Sequence, residues 1–241
     1  MKKIISIIAL LATIMLYSCS SKPEAPTVPS VDTTEVEEAD IVITDNIFSE
    51  KTDFVVGVSA EVYITAPKAE APLYGENVDK FNELIDMIAD TVKNEYYHDV
   101  AIGSGAEGAA ATSRMLTYEV YTAKDGYISV LLKITSSIAG AINPSVAYRC
   151  VNYDLKEGKT LTLTDIVGED KIDVVKALIL DQMKETPKEY FTTDDGALDN
   201  IDISSSFLEK NGKLYIVIDE YAIAPRSKGA FIFEIDKGEI G

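Results

Sequence analysis

The chain has 241 residues, 46% of them hydrophobic, and its 40 acidic and 22 basic residues give a formal net charge of −18. This charge argues against partners such as nucleic acid or anionic lipid head groups, which are recognised through a basic surface. It favours a basic partner, or it serves solubility alone. With one histidine, His98, and two cysteines, the chain lacks the ligands of a zinc site, and no Gly-x-Ser-x-Gly motif supports Ser-His-Asp catalysis.

The N-terminus has the pattern of an export signal. Two lysines precede an apolar run over residues 4–16, which is shorter than the roughly 20 residues of a transmembrane helix. Leu-Tyr-Ser-Cys at residues 16–19 resembles the lipobox of bacterial lipoproteins. We therefore expect residues 1–18 to be removed and Cys19 to be acylated, which would anchor the chain to a membrane of the cell envelope on its extracytoplasmic side. An ordinary signal peptide or an uncleaved anchor is the alternative.

Residues 19–48 are expected to form a flexible acidic tether. Proline, serine and acidic residues dominate as far as Asp40, and such a segment cannot bury a core. The remaining residues, 49–241, suffice for one sizeable core or for two small, intimately packed ones. If Cys19 is acylated, Cys150 is left without a partner for an intrachain disulfide. The apolar surroundings of Cys150 favour a small buried hydrophobic residue over a nucleophile.

The first part of the domain predicts a strand, a helix and a loop. β-Branched and aromatic residues over 54–64 indicate a strand, and Pro67 indicates the loop after it. Apolar residues then recur every three or four positions, which predicts a helix over 77–97 with Asn77 as its N-terminal cap. Glycine and alanine over 103–112 indicate a mobile loop.

The rest of the chain predicts strands and a second helix. The elements are strands over 116–121, 128–134, 146–155, 214–218 and 231–235, and a helix over 170–184. Asp125-Gly126 between two alternating runs is a strong hairpin signal. This order predicts an α+β fold, an antiparallel β-sheet meander with two main helices packed on it.

One acidic segment, residues 194–202, raises the question of calcium binding or carboxylate catalysis. Its acids are Asp194, Asp195, Asp199 and Asp202. Carboxylates are suitable calcium ligands, but their spacing here does not fit the twelve-residue calcium loop. A glycosidase also needs two acids at a set separation, which a sequence does not show. A solvated acidic loop is the simpler interpretation.

Three later segments carry a family resemblance. Residues 152–166 read Asn-Tyr-Asp-Leu-Lys-Glu-Gly-Lys-Thr-Leu-Thr-Leu-Thr-Asp-Ile, 211–214 read Asn-Gly-Lys-Leu, and 221–225 read Tyr-Ala-Ile-Ala-Pro, with Gly229 beyond them. These segments resemble the extracytoplasmic domain of RsiV-like, lysozyme-responsive anti-sigma factors. A similar domain precedes the catalytic domain of some peptidoglycan deacetylases.

The resemblance implies an envelope module that binds or senses a ligand, with lysozyme as the family's known type of ligand. It is stronger over residues 113–241 than over 49–112. A lipoprotein signal stands where the anti-sigma factors have a cytoplasmic segment and a membrane span, so we do not expect control of a sigma factor. Nothing here resembles the metal motifs of the deacetylases, so we expect a non-catalytic domain with no metal and no cofactor.

Three residues are candidates for ligand binding: Asn143, Tyr221 and Arg226. Asn143 takes the place of the histidine in the family's Gly-Gly-Ala-His-Pro segment, and Tyr221 belongs to the family's penultimate loop, which Arg226 follows. The expected ligand is a basic protein such as lysozyme or a cell-wall fragment, and nucleic acid is not expected. The alternatives are an enzyme that acts on cell-wall glycan through the carboxylates of 194–202, and a purely structural lipoprotein.

Overall fold

The computed structural model describes residues 41–55, 57–104 and 109–241. The predicted signal, Cys19 and the tether as far as residue 40 lie outside the described residues, as do residues 105–108 of the predicted mobile loop. No helix in the described ranges combines the length and the apolar character that crossing a membrane requires.

The first strand begins inside the predicted tether. β1 (Val42–Val55) pairs antiparallel with β2 (Val58–Glu70), so the domain boundary predicted at residue 49 is wrong. The amino-acid composition did not predict this strand, because several of its residues are acids on the exposed face. Ile43 and Phe48 nevertheless pack against the core. The single strand predicted over 54–64 spans the turn between β1 and β2.

Pro67 lies within β2, not in a loop, opposite Asp45 of β1. The next strand in the sheet, β3 (Thr112–Lys124), pairs only with residues 60–64 of β2. Pro67 therefore lies where β2 has a neighbouring strand on one side, and its missing N–H is not needed there.

Helix α1 (Glu76–Gly103) confirms the predicted helix and extends it by six residues at its C-terminal end. Its buried face repeats every three or four residues and consists of Val78, Phe81, Ile85, Ala89, Val92 and Tyr96. Asn77 is not the cap, which is Gly75. The Asn77 side chain instead donates to the Leu155 carbonyl at 2.9 Å and so connects the start of the helix to the turn that begins at Leu155. His98 is exposed on this helix, before its end.

The predicted meander is confirmed. Its strands are β3, β4 (Tyr127–Ile138), β5 (Ser145–Asp154) and the short β6 (Lys159–Thr160). The hairpin at Asp125-Gly126 has positive φ at both residues, 56° and 80°, as a tight two-residue hairpin turn requires. The full sheet has the order β1 to β6, and β2 and β3 are parallel because α1 crosses over between them. The pattern of β2 and β3 alone did not predict this parallel pair.

A second, three-stranded antiparallel sheet follows in the chain. Its strands are β7 (Phe207–Lys210), β8 (Lys213–Ile218) and β9 (Phe231–Asp236), and the helices beside it are α2 (Leu163–Val167), α3 (Ile172–Glu185) and α4 (Lys237–Ile240). The predicted second helix is α3, and the two predicted closing strands are β8 and β9. Each main helix therefore packs on its own sheet, α1 on the larger and α3 on the smaller, with a separate apolar core in each half.

Helix α2 precedes the predicted second helix and begins at a well-capped N-terminus. Thr162 accepts a hydrogen bond from the Asp165 backbone N–H, and the Asp165 carboxylate accepts one from the Thr162 N–H at 2.7 Å. These reciprocal bonds form a capping box, which satisfies donors that a helix start otherwise leaves unpaired. The Thr162 hydroxyl also donates to the Asp165 carboxylate at 2.6 Å, and this bond, together with the one from the Thr162 N–H, lowers the pKa of Asp165.

A buried hydrogen-bond network joins the two sheets. Ser129 and Asn152 are the buried polar side chains in the described part of the chain. Asn152 donates to the Phe207 carbonyl at 2.6 Å and accepts from the Ser129 hydroxyl at 2.7 Å. The Ser129 hydroxyl in turn accepts from the Glu209 N–H at 3.0 Å. The two buried polar side chains, Ser129 and Asn152, thus both form hydrogen bonds with the backbone of β7. The Tyr127 hydroxyl donates a further hydrogen bond to Asn152 at 2.8 Å.

Replacing Asn152 should separate this network from β7. The substitution Asn152→Ala leaves the Phe207 carbonyl without a donor and the Ser129 and Tyr127 hydroxyls without their acceptor. We expect the free energy of unfolding to fall by about 3 kcal/mol, because each buried unpaired polar group costs about 1–3 kcal/mol. Chemical denaturation measures the loss, and Asn200→Ala, at an exposed position, is the matched control. Equal stabilities for the two variants would contradict the role of Asn152.

Candidate functional site

The arginines of the chain meet at one groove. The sequence contains three, Arg114, Arg149 and Arg226, and all three line a cavity of about 560 Å³ beside α1. Arg114 comes from β3, Arg149 from β5 and Arg226 from the connection between β8 and β9. We call this cavity the arginine groove. The chain has a net charge of −18, and yet all three of its guanidinium groups line this one groove.

Apolar and small polar residues form the rest of the groove. One wall is a stripe of α1 at helical spacing, with Ile88, Val92 and Glu95, and the opposite side comes from β4 and β5, with Ile134 and Ala147. The connection between β4 and β5 contributes the rim. The groove is thus open to solvent, with charged groups at its edge and short apolar side chains between them.

Arg114 holds the groove wall together. Its Nε and Nη2 donate to the two carboxylate oxygens of Asp99 at 2.9 and 3.2 Å, and its Nη1 donates to Glu95 at 3.0 Å and to Ser136 at 2.8 Å. The side chain is only 17% exposed. Hydrogen bonding to Asp99 raises the pKa of the Arg114 guanidinium, so the charge is fixed. Arg114 therefore links α1 to the sheet and has little capacity left for a ligand.

The connection after β8 is fastened to β5 by two carboxylates. Asp219 accepts from the Tyr148 backbone N–H at 3.1 Å, and Glu220 accepts from the Val146 N–H at 3.4 Å. These amides lie on the outer edge of β5, which β6 covers only at its far end. Glu220, whose side chain is 11% exposed, also lies 3.3 Å from Nε of Arg226. The carboxylate thus holds Arg226 at the groove through its Nε.

Arg149 is the most available of the three guanidinium groups. It is exposed, its Nη1 donates to the Tyr148 carbonyl at 2.9 Å, and in the described ranges no carboxylate lies within ion-pair distance of it. Arg149 also lines a second cavity of about 330 Å³ with Ile88 and Cys150. Since Ile88 and Arg149 line both cavities, the two form neighbouring parts of one surface.

Cys150 does not supply a nucleophile to this surface. Burial raises the pKa of its thiol to about 12, so the thiol stays protonated at neutral pH. The side chain packs with Leu131, Leu208 and Val217 between the two sheets. Its role agrees with the prediction of a small hydrophobic residue.

The structure brings two of the three predicted binding residues together. Asn143 and Arg226 both line the arginine groove. Tyr221 does not: its side chain is 65% exposed and packs edge-on against Phe191, with ring centroids 5.6 Å apart. Its φ of 68° is unusual for a residue with a bulky side chain. Arg149 was not among the predicted binding residues, although the rarity of arginine in an acidic chain was an available signal.

The acids of 194–202 bind local partners. Asp194 accepts from the Thr192 hydroxyl at 2.9 Å, and Asp202 accepts from the Ser204 N–H at 2.8 Å. Hydrogen bonding from the side chain and the backbone of Ser204 lowers the pKa of Asp202. Asp195 lies 3.4 Å from Nζ of Lys184. In the described ranges no three His, Cys, Asp or Glu side chains are grouped to hold a metal ion. These carboxylates shape turns on the surface.

Fold and groove together define a two-sheet α+β domain with an open, arginine-lined surface site. A scan against protein-family models and a search of curated proteins give no match for the sequence.

Solved structures show the same fold. A DUF3298 family member from Bacteroides fragilis aligns with a TM-score of 0.59 at 11% identity, over 84% of this chain and 93% of that one. A DUF3298 family protein from Pseudomonas aeruginosa aligns with a TM-score of 0.54 at 14% identity, over 83% of this chain and 93% of that one. At these identities the likeness concerns the fold alone. Neither the descriptions of these proteins nor the geometry of the described residues indicates catalysis.

The three arginines should differ sharply in their effect on stability. Arg114→Ala leaves the carboxylate of Asp99, which is 13% exposed, without its partner, and we expect a loss of about 2 kcal/mol in the free energy of unfolding. Arg149→Ala removes an exposed side chain and should change it by less than about 0.5 kcal/mol. Urea denaturation measures the free energy of unfolding of the two variants. Similar losses in both would show that Arg149 also stabilises the fold.

Proposed function

We propose that this protein is a non-catalytic ligand-binding module of the cell envelope, anchored through lipid on Cys19, and that a cell-wall component binds in the arginine groove. The observation that carries the proposal is the meeting of all three arginines at one open cavity. An open groove with charged edges and apolar walls suits a polar ligand with small apolar parts.

The groove also argues for binding over glycan hydrolysis. Hydrolysis of a glycosidic bond needs two carboxyl groups flanking the bond. Among the described residues that line the groove, Glu95 is the one carboxylate, and it accepts a hydrogen bond from Arg114. Glu220 lies beside the groove and is engaged by Arg226 and the Val146 N–H. The acids of 194–202 hold surface turns instead. Nothing in these arrangements supplies an acid and a base to one substrate.

A pull-down with purified peptidoglycan sacculi tests the proposal. The chain from residue 20 onward should sediment with sacculi, and the double variant Arg149→Ala/Arg226→Ala should bind about 100-fold more weakly, since each of the two guanidinium groups contributes a charge-assisted hydrogen bond of about 1.5 kcal/mol. Lys124→Ala/Lys188→Ala removes the same charge at exposed positions outside the groove and should bind like the unaltered chain. Absence of sedimentation in all three would contradict a wall ligand.

A basic protein of the lysozyme type is the second candidate, and the net charge of −18 favours it. Complementary charge accelerates association and adds to specificity. Exposed charges are screened beyond about 8 Å at 0.15 M salt, so binding to a C-type lysozyme should be measured at that salt and at about 1 M. Sub-micromolar affinity that survives high salt would support a specific lysozyme site. Affinity that disappears would leave charge as its sole cause.

The lipid anchor has its own test. Cells that express the full chain with labelled palmitate should incorporate the label, and Cys19→Ala should abolish incorporation and release the protein from the membrane fraction. Cys150→Ala is the control, because burial keeps that thiol protonated. Label retained in Cys19→Ala would overturn the anchor.

A further inference from the structure

We propose that Arg149 and Arg226 form a clamp for the carboxylate of a short peptide with small apolar side chains. The inference rests on the proposed function of the groove and names the chemical group that the groove recognises. Arg114 is excluded from the clamp because Asp99, Glu95 and Ser136 occupy its donors.

The donor geometry favours an oxyanion. A guanidinium group has five N–H donors in a planar fork that matches a carboxylate. Glu220 lies beside Nε of Arg226, so the four N–H bonds of its two Nη atoms remain for a ligand. In Arg149, Nη1 donates to the Tyr148 carbonyl, which fixes the side chain and leaves the other nitrogens available. Positioning before binding reduces the entropy that a ligand must offset.

The surrounding acids favour a singly charged ligand. Glu95 lines the groove, and Asp219 and Glu220 lie on the edge of β5 beside the two arginines. Because the Coulomb energy is proportional to charge, a phosphate dianion doubles both its attraction to the two guanidinium groups and its repulsion by the three carboxylates. These five groups sum to one negative charge, so the doubling disfavours the dianion relative to a carboxylate monoanion. The fork of the arginines suits both groups, but this local balance selects the carboxylate.

The rest of the lining suits a short peptide. Ile88, Val92, Ile134 and Ala147 form an apolar surface for small side chains, and Ser136, Asn143 and Ser145 offer hydroxyl and amide groups to a peptide backbone. A volume of about 560 Å³ lies within the range of small-ligand sites. Alanine-rich peptides that end in a free carboxylate have this combination of small apolar side chains, amides and one terminal charge.

Arginine side-chain NMR provides a direct test, because a chain with three arginines gives three Nε–Hε signals. The sample is the ¹⁵N-labelled chain from residue 20 onward, which retains both cores, and signals are assigned with Arg149→Lys and Arg226→Lys. The probes are acetyl-Ala-Ala-Ala with a free carboxylate, the same peptide with two C-terminal D-alanines, the C-terminal amide of each, and glycerol 3-phosphate.

We expect the free-acid peptides, at about 10 mM, to shift the signals of Arg149 and Arg226 and to leave that of Arg114 in place. The amides should shift neither. Arg149→Lys and Arg226→Lys keep the charge but lose the fork, and each should weaken binding about 10-fold, whereas Lys188→Ala should not. A stronger response to the D-peptide identifies a wall peptide as the source of the ligand, and a stronger response to the all-L peptide identifies an ordinary protein C-terminus.

Three results would overturn the clamp: no shift with any acid, equal shifts with acids and amides, or a larger response to glycerol 3-phosphate than to either peptide. The clamp and the proposed function fail separately. Binding to sacculi without arginine shifts would remove the clamp and keep the wall ligand. Arginine shifts with the all-L peptide, but no binding to sacculi, would keep the clamp and remove the wall ligand.

Discussion

The hydrogen bonds of Asn152 hold the two halves of this domain in one arrangement. Each half has its own apolar core, and apolar contact alone does not fix the register between two surfaces. Asn152 and Ser129 supply directional bonds to the backbone of β7, which allow few alternative positions. The groove depends on this register, because Arg226 follows β8 in the smaller half, whereas Arg149 lies on β5 of the larger.

Two carboxylates also fix the position of the smaller half relative to the larger half at the groove. Asp219 and Glu220 occupy backbone N–H groups on the outer edge of β5, where an additional strand would otherwise bind. Exposed strand edges invite association between chains, and acidic side chains placed there oppose it. The same two residues fix the segment that carries Arg226. The same contacts of Asp219 and Glu220 therefore protect the edge of β5 and position Arg226.

The charge of the whole chain and the charge of the groove act at different distances. A net charge of −18 repels an anion during its approach, whereas two guanidinium forks attract it on contact. Salt screens the long-range repulsion beyond about 8 Å and weakens the contact less, since the bonds there are short. An acidic ligand in the groove and a basic protein on the outer surface should therefore respond differently to salt. The salt dependence of binding therefore distinguishes the two candidate ligands.

Local patterns in the sequence predicted α1, the β3–β4 hairpin and α3 because each depends on neighbours a few residues away. They failed at β1, where acids on the exposed face outweighed Ile43 and Phe48 in composition, and at the parallel β2–β3 pair, which forms across a whole helix. The groove is less predictable still, since Arg114, Arg149 and Arg226 are far apart in sequence and meet only through sheet register. The family resemblance reached Asn143 and Arg226 through their motifs, but it could not show that Tyr221 points elsewhere.

A shared fold does not extend the groove to other proteins. The solved DUF3298 structures have 11% and 14% identity to this chain, and a fold can host unrelated sites. What the fold fixes in this chain is the place where the middle of α1, the edge of β5 and the connection after β8 lie next to one another. What the sequence adds is the chemistry placed there. In this chain Arg114 is engaged by Asp99, Glu95 and Ser136, and the proposed ligand is inferred from Arg149 and Arg226.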